Sequence, residues 1–235
     1  MIVKYAKGAL CMKKWVAVLL TLVMIACLSA GYAGDGYFVE YSASPREDTE
    51  NSVDELIFRT MRVIRDRLEC FGVSGYRIER IGVSGIRVEI PYEYCENDRF
   101  SGLLDLIGTR GELRFFDPQG NVFMTGSMVE SAEYECLEGD HRITFTLTDE
   151  GTRVFADMTM IYMGMAVPIF MDEELLLAPV IQDPVTNGTG MINGLKSADQ
   201  ARQIAAWIQS GALPMALTQE RVDYWAELPR TEDDQ

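Results

Sequence analysis

The sequence predicts an α+β fold in two parts: a ferredoxin-like (split βαβ) first subdomain and a second α+β subdomain after it. Three observations carry this expectation. Over residues 37–116, strand-like alternation and helix-like spacing follow one another as strand, helix, strand, strand, helix, strand. A turn-rich break follows at Asp117, Pro118, Gln119, Gly120 and Asn121, and further strand and helix patterns fill residues 141–211. The expected division is a leader over 1–33, the first subdomain over 34–117, the second over 118–212, and a return strand with a tail over 213–235.

Each element has a local cause. The stretch YFVEYSA at 37–43 alternates aromatic and polar residues as a strand does. Ser52 to Glu55 fits a capping box, and Val53, Ile57, Met61, Ile64 and Leu68 then recur every three or four residues, one apolar stripe that Gly72 ends. A short repeat follows, GVSGYRIE at 72–79 and GVSGIRVE at 82–89, in which glycines supply the turns and the remaining residues read as strands. Two strands so close together make a hairpin, with Ile86, Val88 and Ile90 on one face. DRFSGLLDLIG has helical spacing at Phe100, Leu103, Leu104 and Ile107, and GELRFF is expected to close the first sheet as its fourth strand. Beyond the break come a strand at HRITFTLT, a helix at about 150–162, and a hairpin-like pair, AVPIFMD and ELLLAPVIQ. The turn NGTGMING leads to a helix capped by Ser197 and stopped by Gly211, with Ala198, Ala201, Ile204, Ala205 and Ile208 on one face. ALPMALTQERVDYW is expected to run back as a strand, and RTEDDQ to fray.

The chain has 235 residues, 48% of them apolar, and 36 acidic against 21 basic residues, which excludes intrinsic disorder and a surface built to grip phosphate backbones. Nucleic acid is therefore not an expected partner. The charge is uneven: residues 1–33 hold Lys4, Lys7, Lys13 and Lys14 and no acid, which leaves 17 basic and 36 acidic residues, or −19, on the rest. From Met12 the chain reads MKKWVAVLLTLVMIACLSAGYA, a lysine start, an apolar stretch and small residues, the layout of a secretory signal peptide. Two alternatives stay open. The stretch reaches the roughly 17 residues of a short membrane span if residues 29–33 are included, and Met24, Ile25 and Ala26 before Cys27 resemble a lipobox, which makes Cys27 the candidate lipidation site. Export leaves Cys70, Cys95 and Cys136 outside the leader, enough for one disulfide or for three thiols that simply pack, and too few for a disulfide framework or a four-cysteine zinc site.

Little in the sequence points to catalysis. His141 is the single histidine, and no GxSxG elbow or cysteine-nucleophile signature accompanies it; an ordinary residue at the start of a strand is the expected reading. HExxH and GxxxxGK[ST] are absent, and GTGMING is a turn rather than a dinucleotide motif. Asp149 with Glu150 and Asp172 with Glu173 are expected to be caps and solvated turn residues. No catalytic residue, cofactor or metal is assigned. Met158, Met160, Met163, Met165 and Met171 fall within fourteen residues, and three readings stand for them: core packing, an adaptable apolar surface for polypeptide, or a Cu(I) site.

The segments VIRDRLECFGVSGYRIERIGVSGIRVEIP and LIGTRGELRFF resemble the base of the large extracytoplasmic domain of the SecD protein-export family. FTLTDEGTRVFADMT, APVIQDPVTNGTGMING and ADQARQIAAWIQSGALP are similar in order and spacing to that domain's head subdomain. The resemblance runs from about residue 61 to 217. Two departures stand out: a glycine-rich LDLxGG segment is missing at the first strand, and Asp172 and Glu173 stand where the family commonly has Asp-Gly. The bundle of membrane helices that drives ion-coupled export in the family is also missing, so the resemblance implies a module without its own motor. It implies further that unfolded or exporting polypeptides, and translocon subunits in the membrane, are the partners, with Met160, Met163 and Met165 the candidate polypeptide contacts. Movement is expected about the links at Asp117, Pro118 and Gly120 and at Gly211 and Pro214. An envelope binding or scaffold protein with the same fold and no role in translocation is the alternative.

Overall fold

Ser52 and Gly72 do at the two ends of the first helix what their residue types dictate. The Ser52 hydroxyl accepts the backbone N–H of Glu55 at 3.3 Å, and Gly72 adopts the left-handed conformation (φ 91°) while its N–H returns to the carbonyls of Leu68 and Glu69. Between them runs α1 (Val53–Phe71), whose residues Ile57, Ile64 and Leu68 are fully buried. The structure, a computed structural model, describes residues 35–46, 51–96 and 99–226. The leader with Cys27 and the last tail residues lie outside these. Gly36–Trp225 form one compact unit; the other unit comprises Met1–Asp35 and Ala226–Gln235, of which Asp35 and Ala226 alone are described.

Among the described residues the strands form three sheets. The first has the order β11-β1-β3-β2, from β1 (Asp35–Pro45), β2 (Arg77–Ile81), β3 (Gly85–Pro91) and β11 (Met215–Ala226). The internal repeat is the β2–β3 hairpin, in antiparallel register from Arg77 opposite Glu89 to Ile81 opposite Gly85. Strand alternation places Val39, Tyr41 and Ala43 of β1 and Ile86, Val88 and Ile90 of β3 in the first core, which they share with α1 and with Leu103, Leu106 and Ile107 of α2 (Arg99–Gly108). On the opposite face Arg87 donates to Glu40, its register partner, at 3.0 Å through Nε.

The strand expected to close this sheet does not. β4 (Leu113–Phe116) is central in the sheet β5-β4-β8-β9, with β5 (Val122–Thr125), β8 (Ile169–Met171) and β9 (Glu174–Leu177). Phe115 explains the placement. Its fully buried ring lies 6.0 Å from Phe155 and 6.3 Å from Phe123 and Phe145, so this strand's inward side chain belongs to the second core. The twelve-residue β11 instead takes the place beside the eleven-residue β1. The third sheet, β10-β7-β6, uses β6 (Val129–Leu137), β7 (Asp140–Leu147) and β10 (Thr189–Leu195).

Two helices complete the second lobe: α3 (Asp149–Ile161), capped by Thr148, and α4 (Ala198–Ser210), capped by Ser197. Of the expected face of α4, Ala201, Ile204, Ala205 and Ile208 enter the second core while Ala198 is half-buried outside it, and Ala206 on the opposite side is buried in the first. Trp207 packs against both, and its indole N–H donates to Leu106 O at 3.1 Å. The two lobes thus share one helix. The expected α+β architecture is present, with β11 rather than β4 as the fourth strand of the first sheet.

Candidate functional site

Past its Tyr162 cap, α3 gives way to a loop in which Gly164 holds φ 79°. This loop is strapped to residues 179–181 of the APVI segment: Gly164 N–H donates to Ile181 O, Ile181 N–H to Met165 O, and Val167 N–H to Pro179 O, all at 2.8–3.0 Å. The strap fixes the backbone and leaves apolar side chains outside. Met160, Ile161, Met163, Met165 and Val180 are all about half or more exposed, with Ile161 at 66%. Met158 is half-buried and Met171 lies in the second core, so the five methionines are divided between interior and surface. Single exposed hydrophobic residues are ordinary, but here five fall on one helix end and its strap.

Asp117, Pro118 and Gly120 form the β4–β5 turn, so they lie inside one sheet and not between lobes. Asp117 is 8% exposed, and its carboxylate accepts the backbone N–H of Gln119 (2.9 Å) and Asn121 (2.8 Å) and the Asn121 side-chain amide (3.0 Å). These bonds hold its pKa below the usual carboxylate value, the Asn121 side chain contributing most. A closed turn between paired strands is a poor pivot, because opening it breaks the ladder it terminates.

The chain crosses between the lobes at 109–112 and again at 211–214, the second passing through Gly211 (φ 75°) and Pro214. Leu213 N–H donates to Arg110 O at 2.8 Å and ties the crossings together. Arg67, fully buried on α1, grips both. Its Nη1 donates to Leu106 O (2.9 Å), Ile107 O (3.3 Å) and Thr109 O (2.5 Å), its Nη2 to Arg110 O (2.7 Å) and Gly211 O (3.2 Å), and its Nε to Ser210 Oγ (3.3 Å). Burial pushes the guanidinium down to about 9, against the attraction of Asp172, so it is charged at neutral pH. Sequence reading passed over this residue. The available signal was its place beside Leu68 and three residues after Ile64, on the buried face of an amphipathic helix.

Asp172 also differs from expectation. It is no solvated turn residue: at φ 54° its carboxylate accepts the N–H of Gly111 (3.0 Å) and Glu112 (2.8 Å), and its own N–H donates to Glu112 O. Glu173, its neighbour, is almost fully exposed and pairs with Arg114 at 3.2 Å. A cleft of about 660 Å³ opens beside this turn, walled by β9 and α4.

His141 lies in β7, half-buried, opposite Cys136 in register, with Nδ1 2.9 Å from the Tyr134 hydroxyl. Cys70, Cys95 and Cys136 are all free thiols, Cys95 half-buried and the other two exposed. Among the described residues no group of three or more His, Cys, Asp and Glu side chains is arranged to hold a metal, and no helix is long and apolar enough to cross a membrane.

Comparison with known proteins agrees with this architecture. Residues 112–215 match the family described as SecDF, P1 head subdomain. The protein translocase subunit SecD of Dictyoglomus turgidum is 34% identical over 163 residues, covering 69% of this chain and 40% of that protein; SecD of Acidaminococcus fermentans is 29% identical over 174 residues, covering 73% and 41%. The chain thus spans about two fifths of the length of these relatives. The crystal structure of SecDF in its super-membrane-facing form shares the fold at TM-score 0.67 and 24% identity, covering 80% of this chain and 30% of that one. A second structure, of SecDF as a membrane component that enhances protein export, matches at TM-score 0.63 and 24% identity over 78% of this chain and 98% of that one. Residues 112–215 are therefore a SecDF P1 head subdomain, carried on a chain that is related to SecD over about seventy percent of its length.

Proposed function

We propose that this protein is a non-catalytic, extracytoplasmic module that assists protein export by binding emerging polypeptide or translocon components, without an ion-driven motor of its own. The observation that carries the reading is the exposed apolar patch of Met160, Ile161, Met163 and Met165, held on a backbone strapped by hydrogen bonds. Flexible thioethers on a fixed loop suit partners of varied sequence, because they repack without moving the scaffold. The relatives' name, protein translocase subunit, supports the same reading. The second lobe would move on the first about the crossings at 109–112 and at Gly211 and Pro214, with Arg67 resisting the motion and the Asp117, Pro118 and Gly120 turn travelling with its sheet. The basic leader would deliver the acidic body across the membrane and, if retained or lipidated at Cys27, attach it there. No cofactor and no nucleic acid enters this scheme.

Photo-crosslinkers placed at Met160 and Met163 in cells should trap exporting preproteins or translocon subunits. Recovery of only unrelated envelope proteins would overturn the reading in favour of an envelope scaffold. Mass spectrometry of the mature chain separates a cleaved, lipidated or intact leader.

A further inference from the structure

We propose that the cleft between β9 and α4 takes an extended polypeptide segment bearing lysine or arginine among apolar residues, added as a further strand to the free edge of β9. The proposal rests on the polypeptide-binding reading and adds to the methionine patch a second contact, with the kind of segment it prefers.

Backbone geometry comes first. β9 is the outermost strand of its sheet and pairs with β8 alone, and residues 172–176, including most of this strand, line one wall of the cleft. The outer N–H and C=O groups of such an edge are a template for another strand, and main-chain pairing of this kind is indifferent to sequence. Four residues of β9 suit a comparably short stretch of partner, and the cleft's volume of about 660 Å³ is that of a ligand site rather than a packing defect.

Side chains then add preference. Leu175, 51% exposed, and Leu176 give the β9 wall apolar surface, and Ile204 and Trp207 do the same on the α4 wall. The remaining character is acidic. Asp105, Asp172, Glu173 and Glu174 line the cleft, and none of the lining residues is Lys, Arg or His. Asp172 is committed to the Gly111 and Glu112 amides and Glu173 pairs with Arg114 at 3.2 Å while its own side chain stays almost fully exposed, and Asp105 and Glu174 are exposed. A cationic side chain finds complementary carboxylates there, whereas an acidic segment or a phosphate-bearing surface is repelled.

The test uses the full chain and fluorescent peptides of alternating lysine and leucine, matched peptides of alternating glutamate and leucine, and the lysine peptide N-methylated at alternate amides. At low ionic strength the lysine peptide should bind about tenfold more tightly than the glutamate peptide. Reversing two exposed carboxylates, Glu173→Lys with Glu174→Lys, should abolish that preference, and N-methylation should weaken binding to the unmodified protein. Binding that ignores both peptide charge and this double change, yet falls in Met160→Ser with Met163→Ser, refutes the cleft and leaves the broader reading standing. Loss of all peptide binding together with loss of crosslinks at Met160 overturns both.

Discussion

A β-carbon on Gly111 would stand 2.5 Å from Nη2 of Arg67, so the guanidinium occupies the space that a side chain would fill. Gly111 also holds φ 74°, a conformation that L residues adopt at a cost. Gly111→Ala should therefore destabilise the protein by about 2 kcal/mol or more, read as a lower urea midpoint. Arg67→Lys should cost about 3 kcal/mol, because three ammonium donors cannot satisfy acceptors arranged around a planar fork. An unchanged midpoint in both variants would contradict the clamp.

Asp172→Asn keeps size and one acceptor oxygen but cannot receive both the Gly111 and Glu112 amides with a charged carboxylate. A loss of about 1–2 kcal/mol is expected, with faster hydrogen exchange at those two amides.

The Asp117 carboxylate titrates below its ordinary value, so its contribution to stability is complete at neutral pH and is lost as pH falls through that lowered value. The Gln119 and Asn121 amides should lose protection, measured against their intrinsic exchange rates, only below the normal carboxylate range. Asp117→Asn should flatten that dependence.

Cys95 is half-buried, and burial pushes its thiol up to about 11, a backbone hydrogen bond from Tyr37 partly opposing. Alkylation at pH 8 should be slow at this residue and should accelerate as pH approaches 11. Rapid labelling at pH 8 would show an open site.

The parts legible in the sequence are those whose causes lie within a few residues. Ser52 and Glu55 lie one turn apart, the two copies of the GVSG repeat make one hairpin, and Gly72 stops α1 by its own backbone preference. The parts that were not legible depend on distant partners. Arg67 finds its acceptors 39 to 144 residues away, so its burial has no local mark beyond its helical face. GELRFF reads as a strand, but the sheet it joins is decided by rings near Phe115 that come from β5, β7 and α3. Asp172 looks like any turn residue until the Gly111 backbone is brought beside it. The methionines were legible as a cluster, and helical facing alone sets half-buried Met158 apart from exposed Met160; what was not legible is that β8 carries Met171 into the second core.

The pairing of β11 with β1 sets an order of events as the chain emerges N-terminus first. β1 comes first and β11 last, with the whole second lobe between them. Until residue 215 and those after it have emerged, the first sheet keeps an unpaired border at β1, open to wrong neighbours. Closure of so long a loop makes this a late and slow step of folding. A chain truncated before residue 215 should hold protease-resistant fragments of the second lobe while its first sheet remains sensitive, so the lobe inserted later in the fold matures earlier in time.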